Sequence, residues 1–476
     1  MIKLIKYFII PTFTLVIFLI INGAILKHHY LGGDQLKTFR NIASFFAEIP
    51  SNLKKIYVAR KDIAYNLKRG RATDAPIMED LTKNEVQPAA IDDELKIIGN
   101  QTGVLHDRFR IINVSYKKDA LLVLPRYSND LSKTIIEIID LNNYKILKTY
   151  NFDIANILSK IDRAKTDAGW PPRPGTYTST RAMFQQPMLK DNGSIITIFA
   201  RAIFKFDKCG KIIWKNDDQN YHHSLQIINY EEDEILVTGS KYPYTKKFNR
   251  LQKGFLEDAI YKLKNGKVVY NKSILEIFVE NNYMNDRALL NYHDPLHLND
   301  AEIAKKTGKY WNKDDIFLSL RDISQIIHYR PSTNKIVNII KGPFAQQHDV
   351  DLHYPNKISI FNNNNKITND DQSSEILLYD FENKSFKKVD YKFPINPDSL
   401  EMYNFKTKSN GLVNNLKDGS TSLEEHNKGR IFYFDKDKNL IWVYINENQL
   451  GWHSIIEDQE FIKIFKKNIS YNTCKN

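Results

Sequence analysis

Residues 187–215 read PMLKDNGSIITIFARAIFKFDKCGKIIWK, and this stretch decides the fold. A short lead strand, PML, meets the turn formers Asp191, Asn192 and Gly193. IITIF and AIFKF follow as two β-rich runs, and Asp207–Gly210 turns the chain into a last run that ends on Trp214. Strand-length runs of Ile and Phe punctuated by Asn, Asp and Gly are the signature of tight antiparallel hairpins.

The same pattern recurs imperfectly along the chain. FRIINVSYKKDALLVLP with IIEIIDLNNYKILKTY begins at Phe109, and HSLQIINYEEDEILVTGS with AIYKLKNGKVVY begins at His223. HLNDAEIA with DIFLSLRDISQIIHYRPSTNKIVNII begins at His297, and HDVDLHYPNKISIFNNN with EILLYDFENKSFKKV begins at His348. GLVNNLKDGSTSLEEHNKGRIFYFDKDKNLIWVY begins at Gly411. Six four-stranded units predict an all-β, six-bladed β-propeller over residues 101–460, because radial repetition leaves only short, protected sheet edges. A solenoid would keep a more regular period, and a sandwich would not repeat the turn and outer strand six times. Insertions fall at 158–184, 241–254 and 273–290, where loops are expected.

The rest of the 476-residue chain divides simply. Lys3 and Lys6 precede an apolar run from Tyr7 to Leu26, whose twenty residues suffice to cross a bilayer as a helix. Residues 1–30 are therefore expected to be an uncleaved membrane anchor rather than a signal sequence, whose apolar region is shorter. Residues 31–100 are expected to be a helical stalk and linker, with Leu36, Phe39, Ile42 and Phe46 at helical spacing, and 461–476 a C-terminal tail. The expected placement is single-pass in the inner membrane, with the propeller periplasmic.

Composition is that of a folding chain: 42% hydrophobic, with 26 Tyr and 26 Phe. The net charge of +12 is spread along the chain, not gathered with aromatics in a patch, which argues against nucleic acid as partner. The only cysteines, Cys209 and Cys474, form no CxxC pair, so thiol catalysis and a cysteine-ligated metal are not expected. A bridge between them is not expected either, since Cys474 lies where chain ends fray.

In a propeller the innermost strand of each blade lines the central channel. His223, His297 and His348 each stand at the start of that strand in three successive units, so they are expected to converge on the axis. Two chemistries use such a trio: a metal site, or an anion site with a reactive imidazole. Arg321, at the turn after DIFLSL, favours the second, because a guanidinium repels a divalent cation and grips a tetrahedral oxyanion. No metal and no cofactor are expected, and no phosphate-cradling glycine loop appears.

DPLHLNDAE, DIFLSLRDIS, QQHDVD and KISIFNN, with YHHSLQ, FDKCGKIIW and GRIFYFDKDKNLIWVY, resemble the bacterial arylsulfate sulfotransferases over roughly residues 105–450 and keep their motif order. The resemblance implies a six-bladed propeller that moves a sulfuryl group from a phenolic sulfate ester to a phenolic acceptor without a nucleotide donor, through a sulfated histidine. It implies His348 as nucleophile, His297, Arg321 and His223 as further catalytic residues, and Asn299, His222 and Gln347 as substrate-binding residues. Two motifs depart from the family: HHS lacks an acidic residue after the histidines, and HLND replaces His-x-Asn-Ser. His222 could take the place of His223, since one residue of register flips a strand's faces. The alternative is an exported propeller that binds an anionic ligand or protein without turnover. A quinoprotein-like dehydrogenase would need more regular tryptophans than Trp214 and Trp442 provide.

Overall fold

The computed structural model describes residues 104–106, 108–166, 182–245, 256–283, 294–365, 373–393, 405–407, 409–446, 448–470 and 474. They form six antiparallel sheets, one per blade. Blade 2 is Phe184–Leu189, Ile195–Phe199, Ala202–Phe206 and Ile212–Asn216, ordered from inner to outer edge. Blades 3 to 5 follow the same plan from inner strands Asn220–Asn229, Leu298–Ile303 and Val350–His353. The six-bladed propeller is the expected fold.

Where the ring closes, the structure departs from the expectation. Phe109–Ile111 does not begin blade 1. It pairs with Leu440–Ile445 on the outer edge of blade 6, with Phe109 opposite Tyr444. The physical reason is aromatic: the Phe109 ring packs edge-on against Trp442 at 5.2 Å and Tyr444 at 5.0 Å. Blade 1 has Leu121–Ser128, Lys133–Asp140 and Lys145–Tyr150, and takes its inner strand from Ser454–Ile456, at the far end of the chain. The N-terminal strand thus covers the outer edge of blade 6, and the C-terminal strand supplies the inner strand of blade 1, so the two ends of the repeat close the ring.

Side-chain acceptors stitch the seams between blades. Gln186 Oε1 accepts from Leu225 N at 2.6 Å, Asp258 from Leu298 N at 3.0 Å, Asp300 from Val350 N at 3.0 Å and Asp349 from Val413 N at 2.9 Å. Glu424 accepts from Trp452 N and His453 N at 3.1 and 2.8 Å. These bonds satisfy backbone donors that the change of blade would leave orphaned. Gly266 (φ +75°) marks another close approach: a Cβ there would lie 2.7 Å from the Trp214 ring, which the next blade packs over.

The expected C-terminal tail, 461–476, is not free over its described residues. Gln459–Ser470 is a helix whose Ile462 and Phe465 enter the core shared by blades 1 and 2. Lys466 Nζ donates to Asp140 at 2.8 Å, and Cys474 forms a disulfide with Cys209 across 265 residues. The expectation of two unpaired cysteines fails because this docked helix, not a fraying end, delivers Cys474 to the blade 2 turn. Among the described residues no helix is long and apolar enough to cross a membrane. The apolar run Tyr7–Leu26 and the expected stalk lie outside those residues.

Candidate active site

The backbone aims the site. One residue at or just before each inner strand adopts left-handed φ: Gln186 (45°), His223 (61°), His297 (53°), Gln346 (55°), Asn410 (58°) and Trp452 (69°). Asparagine and histidine visit that region more often than other side chains, while glutamine and tryptophan rarely do. Six such residues in phase around one axis mark a ring held in place by its surroundings, the kind of outlier that gathers at functional sites. In blades 2, 3 and 4 strand register slips at Gln185/Met188, Tyr221/Leu225 and Leu298/Asp300, and these bulges turn side chains toward the axis.

His223 stands at the centre. Its ring centroid lies 5.4 Å from that of His297, 6.2 Å from that of His348 and 4.9 Å from that of His222. Trp452 stacks on it at 5.7 Å. His222 lies outside this centre, with Nε2 3.2 Å from Ser240 Oγ. Both rings are enclosed, and it is His223 that meets the other histidines.

Hydrogen bonds fix two imidazoles. Arg321 Nη1 donates to His297 Nε2 at 3.1 Å, so the His297 proton sits on Nδ1, which donates to Asp294. Arg321 Nε donates to Asp322 at 2.9 Å, which sets the plane of the guanidinium. His348 Nδ1 lies 2.6 Å from Asn363 Oδ1, and its Nε2 accepts from the backbone N–H of Asn410 at 2.8 Å. Asn299 Nδ2 donates to the Gln347 carbonyl at 2.8 Å, tying the two blades that carry His297 and His348. The Gln347 amide donates to Ser319 Oγ, the Leu320 carbonyl and the Gln325 carbonyl, so most of its bonding anchors the His348 backbone to blade 4.

Burial shapes the electrostatics. It lowers the His348 and His222 pKa values to about 3 and holds His223 well below the ordinary value. These three imidazoles are neutral at pH 7. Within this cluster Arg321 supplies a fixed positive charge. Four enclosed polar atoms here have no hydrogen-bond partner: His222 Nδ1, His223 Nδ1, Asn299 Oδ1 and Gln347 Oε1. Buried groups rarely go unpaired, so they read as atoms waiting for a ligand or water. Among the described residues no group of three or more His, Cys, Asp or Glu could hold a metal ion.

The structure therefore brings His223, His297, His348, Arg321, Asn299 and Gln347 together, with His222 at the margin. Sequence reasoning missed Asp294, Asn363, Asn410 and Trp452. Asp294 and Asn363 stand inside the motifs DPLH and FNNN, so their position was visible but not their bonds. Trp452 stands two residues before the short closing strand Ser454–Ile456, and GWHS repeats the layout of YHHS.

The sequence profile of one protein family, described as Arylsulfotransferase (ASST), matches residues 186–447. No curated protein matches the chain. Among solved structures, a protein of unknown function from Bacteroides caccae is 11% identical, with a TM-score of 0.43, covering 71% of this chain and 100% of that one. The Pan2 WD40 domain of Neurospora crassa is 12% identical, with a TM-score of 0.36, covering 68% and 76%. A streptogramin B lyase is 10% identical, with a TM-score of 0.37, covering 73% and 96%.

Proposed function

The chain belongs to the arylsulfotransferase family, and from that premise we propose that it carries a sulfuryl group from a phenolic sulfate ester to a phenolic acceptor through a sulfohistidine at His348. The observation that carries this reading is the cluster of neutral imidazoles beside Arg321, with enclosed polar atoms left unpartnered.

An aryl sulfate is anionic, so a neutral nitrogen attacks it more readily than a carboxylate or thiolate would. The His348 Nε2 lone pair forms the N–S bond while the S–O(aryl) bond breaks, and its electron pair leaves on the phenolate. The acceptor oxygen then attacks sulfur, the N–S bond breaks, and the pair returns to Nε2. The acceptor's proton passes to His297 Nε2, which is unprotonated and opposed by Arg321. From there it is released to solvent, and the phenolate freed in the first half-reaction takes up a proton from solvent, so the net reaction moves one sulfuryl group and one proton. Arg321 and the ring N–H of His223 hold the sulfuryl oxygens, with the remaining amide proton of Asn299, whose other proton goes to the Gln347 carbonyl. Catalysis here is positioning and electrostatic stabilisation, as in phosphoryl transfer, and it needs no metal, cofactor or nucleotide.

One observation favours a second reading, a propeller that binds an anion without turnover. The same Nε2 lone pair accepts from Asn410 N–H, a bond that must open before attack. Incubation with 4-nitrophenyl sulfate, with and without phenol, separates the two. Release of 4-nitrophenol that phenol accelerates is expected; anion binding with no release overturns the transfer reading.

The Cys209–Cys474 bridge supports an oxidising compartment, and the apolar run Tyr7–Leu26 supports a single-pass anchor, so we place the propeller on the periplasmic side of the inner membrane. Added protease should reach residues 101–460 in spheroplasts. Their protection would put the propeller in the cytoplasm.

A further inference from the structure

Asn363 is the most fully committed polar side chain around the proposed nucleophile. It ends the strand pair that follows His348, and its side chain is buried. Its amide Nδ2 donates to two backbone carbonyls, Thr407 O at 3.0 Å and Asn410 O at 2.7 Å. With both amide protons spent on carbonyls, only Oδ1 remains for His348, and that oxygen can only accept. His348 Nδ1 must therefore carry the proton. The other face of the ring agrees independently: Nε2 meets a backbone N–H, which can only donate.

Resting on the transfer reading above, we propose that Asn363 is a positioning residue: it locks His348 in the Nδ1–H tautomer, so that the Nε2 lone pair is the one offered to sulfur. A histidine offered as the other tautomer points a proton, not a lone pair, at the substrate. The lock also acts after attack. Once Nε2 bears the sulfuryl group, the ring carries positive charge, and the Nδ1–H bond to Oδ1 strengthens as that charge develops. The carbonyls of Thr407 and Asn410 keep the amide from flipping, which would turn its protons toward Nδ1.

The test uses the full chain with Asn363→Leu, which keeps shape and removes the acceptor, and Asn363→Asp, which keeps an acceptor and adds charge. The donor-only half-reaction is followed as the burst of 4-nitrophenol, and ¹⁵N NMR reports the His348 tautomer. Asn363→Leu is expected to slow the burst roughly 100- to 1,000-fold with the donor KM within about 3-fold, between the losses seen for removed outer-shell partners and for a wrong tautomer. Asn363→Asp is expected to retain the burst within about 10-fold, because the acceptor survives, and to move its acid limb to higher pH, because a carboxylate favours the imidazolium. A merely structural role would slow both variants alike with no shift in the acid limb, and that result overturns the proposal. So does an Nε2–H signal from His348 in the unaltered protein. Should Asn363→Leu fail to fold, Asn363→Asp and that NMR signal still decide. A sulfate mapped to a residue other than His348 defeats the transfer mechanism itself, and leaves the tautomer to be judged by NMR alone.

Discussion

A guanidinium and an ammonium carry the same charge, yet only one of them can bind a sulfate oxygen while a carboxylate and a histidine fix its plane. Arg321 donates to His297 and Asp322 with separate nitrogens, an arrangement lysine cannot copy. Arg321→Lys should therefore lower kcat/KM roughly 10- to 100-fold, the loss of one or two charge-assisted hydrogen bonds. His348→Asn should cost about 10⁴-fold or more, since the covalent route goes with the imidazole. Burial sets the pH behaviour of this residue. Its pKa stands near 3 against an ordinary 6.5, so it remains uncharged from pH 8 down to about 4. The donor-only burst should thus show no loss of nucleophile near pH 6.5; an acid limb there that vanishes in His348→Asn would contradict the assignment. These side chains could be chosen from sequence because histidine and arginine declare their chemistry. Asp294 and Asn363 could not, because their roles exist only as bonds across turns.

At the scale of elements, the C-terminal helix and its bridge do what a tail could not. Cys474 closes a loop of 265 residues onto Cys209, and the helix fastens blade 1 to blade 2 beside the closing strand. Tying ends that far apart in sequence stabilises by on the order of 5 kcal/mol in the chain-entropy account. Cys474→Ser should lower Tm by several degrees and leave kcat nearly unchanged at low temperature, because the helix lies outside the site. An unchanged Tm in calorimetry would show that the bridge carries no load. The repeat was legible wherever a blade is contiguous, since blades 2 to 5 each hold their own turns and strands. It was misread at both ends. Ser454–Ile456 is three residues long and shows no alternation, and Phe109–Ile111 looks like a lead strand until its aromatic partners in blade 6 are known.

For the whole molecule, the stitched seams leave carboxylates buried around the channel. Burial raises Asp300 to about 6, and burial with the charge of Asp300 raises Asp351 to about 7. A carboxyl raised from 3.8 to about 7 binds more protons folded than unfolded between those values, so its cost to stability grows as pH rises through that window and is complete above it. The buried histidines act in the opposite direction: held near 3, His222 and His348 destabilise the fold as pH falls below about 6.5. Asp351→Asn keeps an acceptor for the Asn415 amide, which lies 2.8 Å away, and removes the charge. It should raise Tm by a few degrees at pH 8 and by less at pH 5. A larger gain at pH 5 would mean that Asp351 is not the group that titrates.

The central claim is that His348 itself carries the sulfuryl group, and a mass measurement reads that directly. The protein is mixed with 4-nitrophenyl sulfate and no acceptor, quenched in base because an N-linked sulfate is acid-labile, and weighed intact before peptide mapping. The account predicts one added sulfuryl group, located on His348, lost when phenol is supplied and absent from His348→Asn. An adduct on any other residue, or full turnover with His348 replaced, would contradict it.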